Sequence, residues 1–168
     1  MVLPKEIASF ISGAWLLLNN TPTDLNGTPL TGPANLPVGL HPVGMLTYHP
    51  TGYMSANIAS TDADHRPLSV SYPFKANDSD ADWAQVGKHT LAYAGQVSAS
   101  EDSTTSSGTL THGPLVVASI PSWVGTKQER NYTVYPKGVK GNENDVLHVW
   151  IRSEASGQVG NLFWERMP

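Results

Sequence analysis

The sequence predicts an all-β fold of about eight antiparallel strands, closing as a barrel or folding as a sandwich, with one short helix. Three observations predict it. The apolar segments are short, and most alternate with period two. The 168 residues include 15 Gly and 13 Pro spread along the chain, punctuation that suits many short strands joined by turns. Only 14% of residues are charged, too few for a coiled coil or a helical array. A chain of 18.0 kDa is read as one domain over residues 1–168, with 1–12 as an N-terminal extension.

The elements follow in order. Gly13–Leu18 is the first apolar run, and a Pro/Gly/Asn/Thr-rich stretch follows from Asn19 to Pro42. That stretch is long for a structureless loop and is expected to lie over a surface or an opening. Met45–Tyr48 and Tyr53–Ile58 form a hairpin about His49-Pro50-Thr51-Gly52, with Pro and Gly where a type I turn takes them. Leu46 and Tyr48 share one face of the first arm, and Met54, Ala56 and Ile58 share one face of the second. Residues 59–78 are loop-like. The helix is expected over Asp80–Lys88, capped by Asp78 or Ser79, with Trp83 and Val86 on its apolar face. Further strands are expected over Leu91–Ser98, Thr109–Ser119, Lys127–Tyr135, Val146–Ser153 and Val159–Met167. Short polar turns join most of them, which favours antiparallel neighbours.

Composition also excludes. A net charge of −4 and no basic stripe argue against nucleic acid as a partner. Zero cysteines leave no disulfide, thiolate metal site or Cys nucleophile. There is no apolar run long enough for a membrane helix and no basic leader, so no membrane insertion is expected and a cytoplasmic location is. Asp62-x-Asp64-His65 lacks a partner cluster for a metal, no Gly-rich loop cradles phosphate, and Ser55 has no Gly-x-Ser-x-Gly context. No metal and no cofactor are expected.

Several short motifs stand in a particular order. They are Gly13-Ala14-Trp15, Pro42-Val43-Gly44-Met45-Leu46-Thr47-Tyr48, Gly52-Tyr53-Met54-Ser55, Ala92-Tyr93-Ala94-Gly95, Thr111-His112, the corner Pro121 to Arg130, and Phe163-Trp164-Glu165-Arg166. In this order, over Gly13 to Arg166, the chain resembles the small lipocalin-like domain family of bacteria and fungi. The resemblance implies an eight-stranded antiparallel lipocalin-like barrel with an apolar lumen. It also implies that Trp15 plugs one barrel end under an Arg, either Arg166 or Arg130. Fungal members and relatives include cofactor-free cyclases, isomerases and pericyclases of natural-product pathways. The chain departs from the family in its longer loops at 19–42 and 59–78, and in Thr111-His112-Gly113, where a second His is usual.

Candidate catalytic residues are His112, Arg130, Tyr48 and Tyr93. His112 shares a strand face with Leu110, and an imidazole with an ordinary pKa near about 6.5 moves protons at cellular pH or donates to a carbonyl. The plain alternative is a packed core histidine. Gln128, Arg130 and Tyr132 alternate onto one face, and an Arg in a lumen needs Glu165, Glu129 or a ligand oxygen as partner. Tyr48 and Tyr93 offer hydroxyl donors. Ligand-binding residues are expected at Leu46, Met54, Ile58, Val97, Gln128, Tyr132, Val149 and Trp164. The function expected is a cofactor-free cyclase or isomerase, pericyclases included, confining an apolar polyketide or terpenoid intermediate in specialised-metabolite biosynthesis. The alternative is a non-catalytic carrier of a small apolar organic molecule. A third reading, a hydrolase or dehydratase, needs His112 and Glu165 within hydrogen-bond reach.

Overall fold

The computed structural model describes residues 3–168. Eight strands close into an antiparallel barrel: β1 (Gly13–Asn20), β3 (Val43–His49), β4 (Tyr53–Ala59), β5 (Thr90–Ala99), β6 (Ser107–Ala118), β7 (Gln128–Tyr135), β8 (Val146–Ser153) and β9 (Gln158–Arg166). They pair in this sequence order, and β1 pairs with β9 to complete the ring. A two-residue β2 (Thr23–Asp24) pairs with the start of β9 outside that ring. Closure leaves no full edge strand to be covered.

The hairpin is as expected. His49 pairs with Tyr53, the Gly52 N–H donates to the His49 carbonyl at 3.0 Å, and Gly52 holds φ +86°. That backbone is one that Cβ-bearing residues rarely adopt. Leu46, Tyr48, Met54, Ala56 and Ile58 are all buried, so the inward face is the one alternation predicts. The α-helix over Asp80–Lys88, here α2, also forms where expected. Ser79 is its cap, accepting from the Asp82 N–H at 3.3 Å. Asp78 instead accepts from Trp83 Nε1 at 3.3 Å.

Three features depart from the expectations. The chain has a second α-helix, α1 (Lys5–Ile11). It lies within the expected N-terminal extension 1–12, of which Met1 and Val2 lie outside the described residues. Leu3, Ile7, Ala8 and Ile11 are buried in the barrel core. Seven residues are too few to be stable as an isolated helix, so packing against the barrel base stabilises it. The second departure is a bulge between β5 and β6. Val97 pairs with His112 and Gly95 with Leu115, so three steps on β6 match two on β5. Strict alternation would turn Leu115 outward, yet it is buried like His112. Gly95 fits the bulge because a Cβ there would lie 2.5 Å from the Pro114 carbonyl oxygen. The third is β2 itself, a short strand inside a stretch that shows no periodicity; the loop after it packs on the barrel. Its Leu36 and Val38 are buried, and His89 Nδ1 donates to the Pro37 carbonyl at 2.6 Å.

Candidate functional site

The two barrel ends are built from different materials. At the base, Trp15 is fully buried and its indole N–H donates to the Ile11 carbonyl of α1 at 2.9 Å. The Arg166 guanidinium lies 4.1 Å from the Trp15 ring centre. Arg166 also donates to Asp145 at 2.9 Å, to the Phe10 carbonyl at 2.6 Å and to the Ser12 carbonyl at 3.2 Å. Of the two arginines considered for the plug, Arg166 is therefore the one, and Arg130 is free for another role. Cation–π stacking, an ion pair and two carbonyl bonds together seal this end.

The other end carries the loops. A cavity of about 160 Å³ lies there, walled by Ile58, Leu91, Arg130, Val149 and Leu162, with Pro37 and Val38 of the long loop over it. The stretch 19–42 thus lies over an opening. This volume is close to that of a roughly 150 Å³ apolar cavity able to hold benzene. A compact molecule fits this volume with the loop in place.

Between the ends lies a polar cluster in an apolar wall. His112 is 1% exposed. Its Nε2 is 2.8 Å from the Tyr48 hydroxyl, and its Nδ1 is 3.4 Å from the Tyr93 hydroxyl. Tyr93 packs edge-on against Trp123 at the loop-bearing end, with ring centres 5.7 Å apart. Burial, aided by the charge of Arg130, pushes the His112 pKa down to about 3. The expectation of a near-neutral imidazole pKa is corrected accordingly: His112 is neutral at cellular pH, because no carboxylate offsets the cost of charging it there. Burial also raises the Tyr48 phenol well above the usual range, chiefly by desolvation. Tyr93 rises for the same reason, while the Arg130 guanidinium opposes the shift by charge.

A neutral imidazole has one N–H donor and one acceptor nitrogen. One tyrosine therefore donates to His112 and the other accepts from it. The Arg130 charge acts on this pair from the side, lowering the Tyr93 phenol against the effect of burial. Three of the four candidate catalytic residues, Tyr48, His112 and Tyr93, thus form one hydrogen-bonded cluster, and Arg130 stands outside it.

Arg130 itself is half-buried. Its Nη1 donates to the Glu129 backbone carbonyl at 2.7 Å, and among the described residues it has no carboxylate partner. Glu165 is not the partner considered from the sequence. It sits next to inward Trp164 on β9, and accepts from Asn144 at 3.3 Å. The third reading, which needs Glu165 beside His112, fails for the same reason.

The expected ligand-binding residues divide. Ile58 and Val149 line the cavity. Leu46, Met54, Val97, Tyr132 and Trp164 are buried in the core. The Tyr132 hydroxyl donates to the Thr104 carbonyl. Gln128 sits half-buried at the start of β7, its amide donating to Thr126 Oγ1 at 2.9 Å. Sequence reasoning missed Leu91 and Leu162, although each lies two residues before an expected inward residue, Tyr93 and Trp164. It also missed Pro37 and Val38, which no periodicity marks.

Comparison with known families places the fold. The model of the family described as a lipocalin-like domain matches residues 12–167, and the chain belongs to that family. No curated protein and no solved structure matches the chain. Among the described residues, no helix is long and apolar enough to cross a membrane.

Proposed function

We propose that the barrel binds a small apolar molecule carrying one carbonyl or carboxylate group, with that group held by Arg130 and the apolar body in the adjoining cavity. One observation carries the reading: Arg130 stands in the wall of an apolar cavity without a carboxylate partner. A guanidinium in such a place is stabilised by a ligand oxygen, through charge-assisted hydrogen bonds. Hexanoate is a suitable probe, titrated calorimetrically into the wild type and into Arg130→Gln. The expected loss of affinity in the variant is about ten- to hundredfold. Equal affinity for the two proteins refutes the assignment.

A second reading has its own support. The buried set of Tyr48, His112 and Tyr93 is more polar machinery than a passive carrier requires. It suits cofactor-free isomerisation or cyclisation of an apolar polyketide or terpenoid intermediate. The one hydroxyl that accepts from His112 keeps its own proton to donate to a ligand carbonyl, and confinement favours a reactive conformer. In this reading His112 orients the two hydroxyls and stays neutral. Native mass spectrometry of protein exposed to an extract of its own organism separates the two readings. Release of an isomer with unchanged mass and altered retention marks turnover, which Tyr48→Phe slows. Release of the unchanged molecule leaves a carrier.

A further inference from the structure

A pair of stacked histidines stands where the loop over the opening is fastened. The rings of His65 and His89 have centres 3.5 Å apart and planes within 9° of parallel. His65 closes the helical turn Ala63–His65 of the second long loop, and His89 follows the last residue of α2. His89 Nδ1 donates to the Pro37 carbonyl at 2.6 Å, and Pro37 and Val38 are the loop residues that wall the cavity. His65 Nδ1 lies 2.9 Å from Ser60 Oγ, and the Ser60 N–H donates to the His89 carbonyl at 3.0 Å. The loop sits flush on this seat, since a Cβ on Gly39 would lie 2.3 Å from Ser60 Oγ and 2.6 Å from Asp62 Oδ2. Beside it the Thr61 hydroxyl donates to the His41 carbonyl at 2.6 Å. The stack therefore joins three segments at the opening, and the loop 36–41 is one of them.

The charges around the two rings are unequal. Asp62 Oδ2 lies 3.5 Å from His65 Nδ1, so a proton on His65 is offset. Among the described residues, no carboxylate stands within ion-pair distance of His89. Its chain neighbours are cationic Lys88 and Thr90, and the Thr90 hydroxyl accepts from Arg66 at 3.2 Å. The other titratable groups of these segments are His41 on the loop, Asp64 in the helical turn, and Asp80 and Asp82 at the opposite end of α2. Imidazoles in general take up protons as pH falls through about 6.5. The first proton on this pair has Asp62 beside it. The second sets two like charges face to face across 3.5 Å. Parted rings hold two protons more readily than stacked ones, so acidification favours parting.

We propose that the His65–His89 stack is an acid-released latch on the loop 36–41, holding it over the cavity at neutral pH and freeing it once both rings are protonated. That the latch governs access for a ligand rests on the reading of the cavity beside Arg130 as the binding site.

The chain has no cysteine, so one introduced thiol reports on the loop. Val38 is buried and lines the cavity, and Val38→Cys places the thiol under the latch. The probe is 4,4′-dithiodipyridine, with each rate divided by that of the unfolded chain at the same pH, so that the titration of the thiol itself cancels. Between about pH 7.5 and about pH 5 the normalised rate is expected to rise about tenfold or more. His89→Asn, added to Val38→Cys, keeps an amide donor for Pro37 and takes up no proton. Its rate should change less than about twofold over the same interval. His65→Asn should behave alike, so the loss of one variant to misfolding leaves the other. Val134→Cys, buried in β7 four residues beyond Arg130, should stay protected throughout. A Val38→Cys thiol that stays protected on acidification, or is already open at neutral pH, overturns the latch. So does a rise that persists in the His variants, or one that Val134→Cys shares, since the chain then unfolds rather than unlatches. No ligand enters this test. If hexanoate fails to bind, the Arg130 reading fails by itself, and the thiol rates still decide for the latch.

Discussion

Arg166 at the base of the barrel and Arg130 near its opening carry the same guanidinium into opposite settings. Arg166 meets a carboxylate, two backbone carbonyls and the face of Trp15. Arg130 has a single backbone carbonyl, that of its own neighbour, and a wall of apolar side chains. The first arrangement is complete within the protein and needs nothing else. The second has no carboxylate partner, and the proposed function assigns that place to a ligand. The base is read as supplying stability, and the proposed function has the opening supply recognition. If so, substitutions at the base should lower stability, and the matching one at the opening should lower affinity.

The largest effect is expected at Trp15. Removing a fully buried indole from between α1 and Arg166 leaves a large cavity at the base, so Trp15→Ala should cost about 3–5 kcal/mol. Chemical denaturation measures it, and a cost under about 1 kcal/mol would mean that the base is not the seal described. Arg166→Ala comes next, at about 2–3 kcal/mol, because its bonds are several but the pair with Asp145 is partly solvent-screened. A double-mutant cycle of Trp15 and Arg166 should be clearly non-additive, since each holds the other.

This difference between the ends was only partly legible in the sequence. Period-two alternation gave the inward faces of the hairpin and of β7 correctly, because a pleated strand buries every second side chain whatever its partners are. The α2 helix was legible through Ser79 and the acidic first turn. The α1 helix was not, since seven residues carry too little periodicity and the helix depends on tertiary packing. Nor was the bulge at Gly95, which puts both His112 and Leu115 inside at odd spacing. The choice between Arg166 and Arg130 over Trp15 also needed the fold, because either lay within reach of the motif. Val38 closes the opening from a stretch with no pattern to read.

His112 lies between the two ends and sharpens the comparison through pH. Its pKa in the fold is about 3, below the ordinary value near about 6.5 that the unfolded chain shows. The unfolded state therefore binds the extra proton first as the solution is acidified. The stability tied to a neutral His112 is fully present above about pH 6.5 and is lost progressively as pH falls towards about 3. Between about pH 6.5 and 4.5 the loss should reach about 2–3 kcal/mol. His112→Gln remains neutral and can still hydrogen-bond to both tyrosines, so its stability should fall less over that interval. Unfolding curves for the two proteins at the two pH values provide the check, and because the difference between proteins is compared, other titrating groups largely cancel. Parallel losses would mean that His112 is charged in the fold, or is not buried as described.

Arg130→Gln should have the smallest effect on stability and the most informative one. The substitution removes a charge that has no carboxylate partner, so no ion pair is lost and no opposite charge is stranded. A stability change within about 1 kcal/mol of zero, in either direction, is expected. The same variant should lose most of its affinity for hexanoate. A side chain whose removal spares the fold while abolishing binding was placed there for something outside the chain. Should Arg130→Gln instead unfold the protein as readily as Arg166→Ala does, the two arginines would be alike in role. The distinction between a sealed base and a receptive opening would then fall with it.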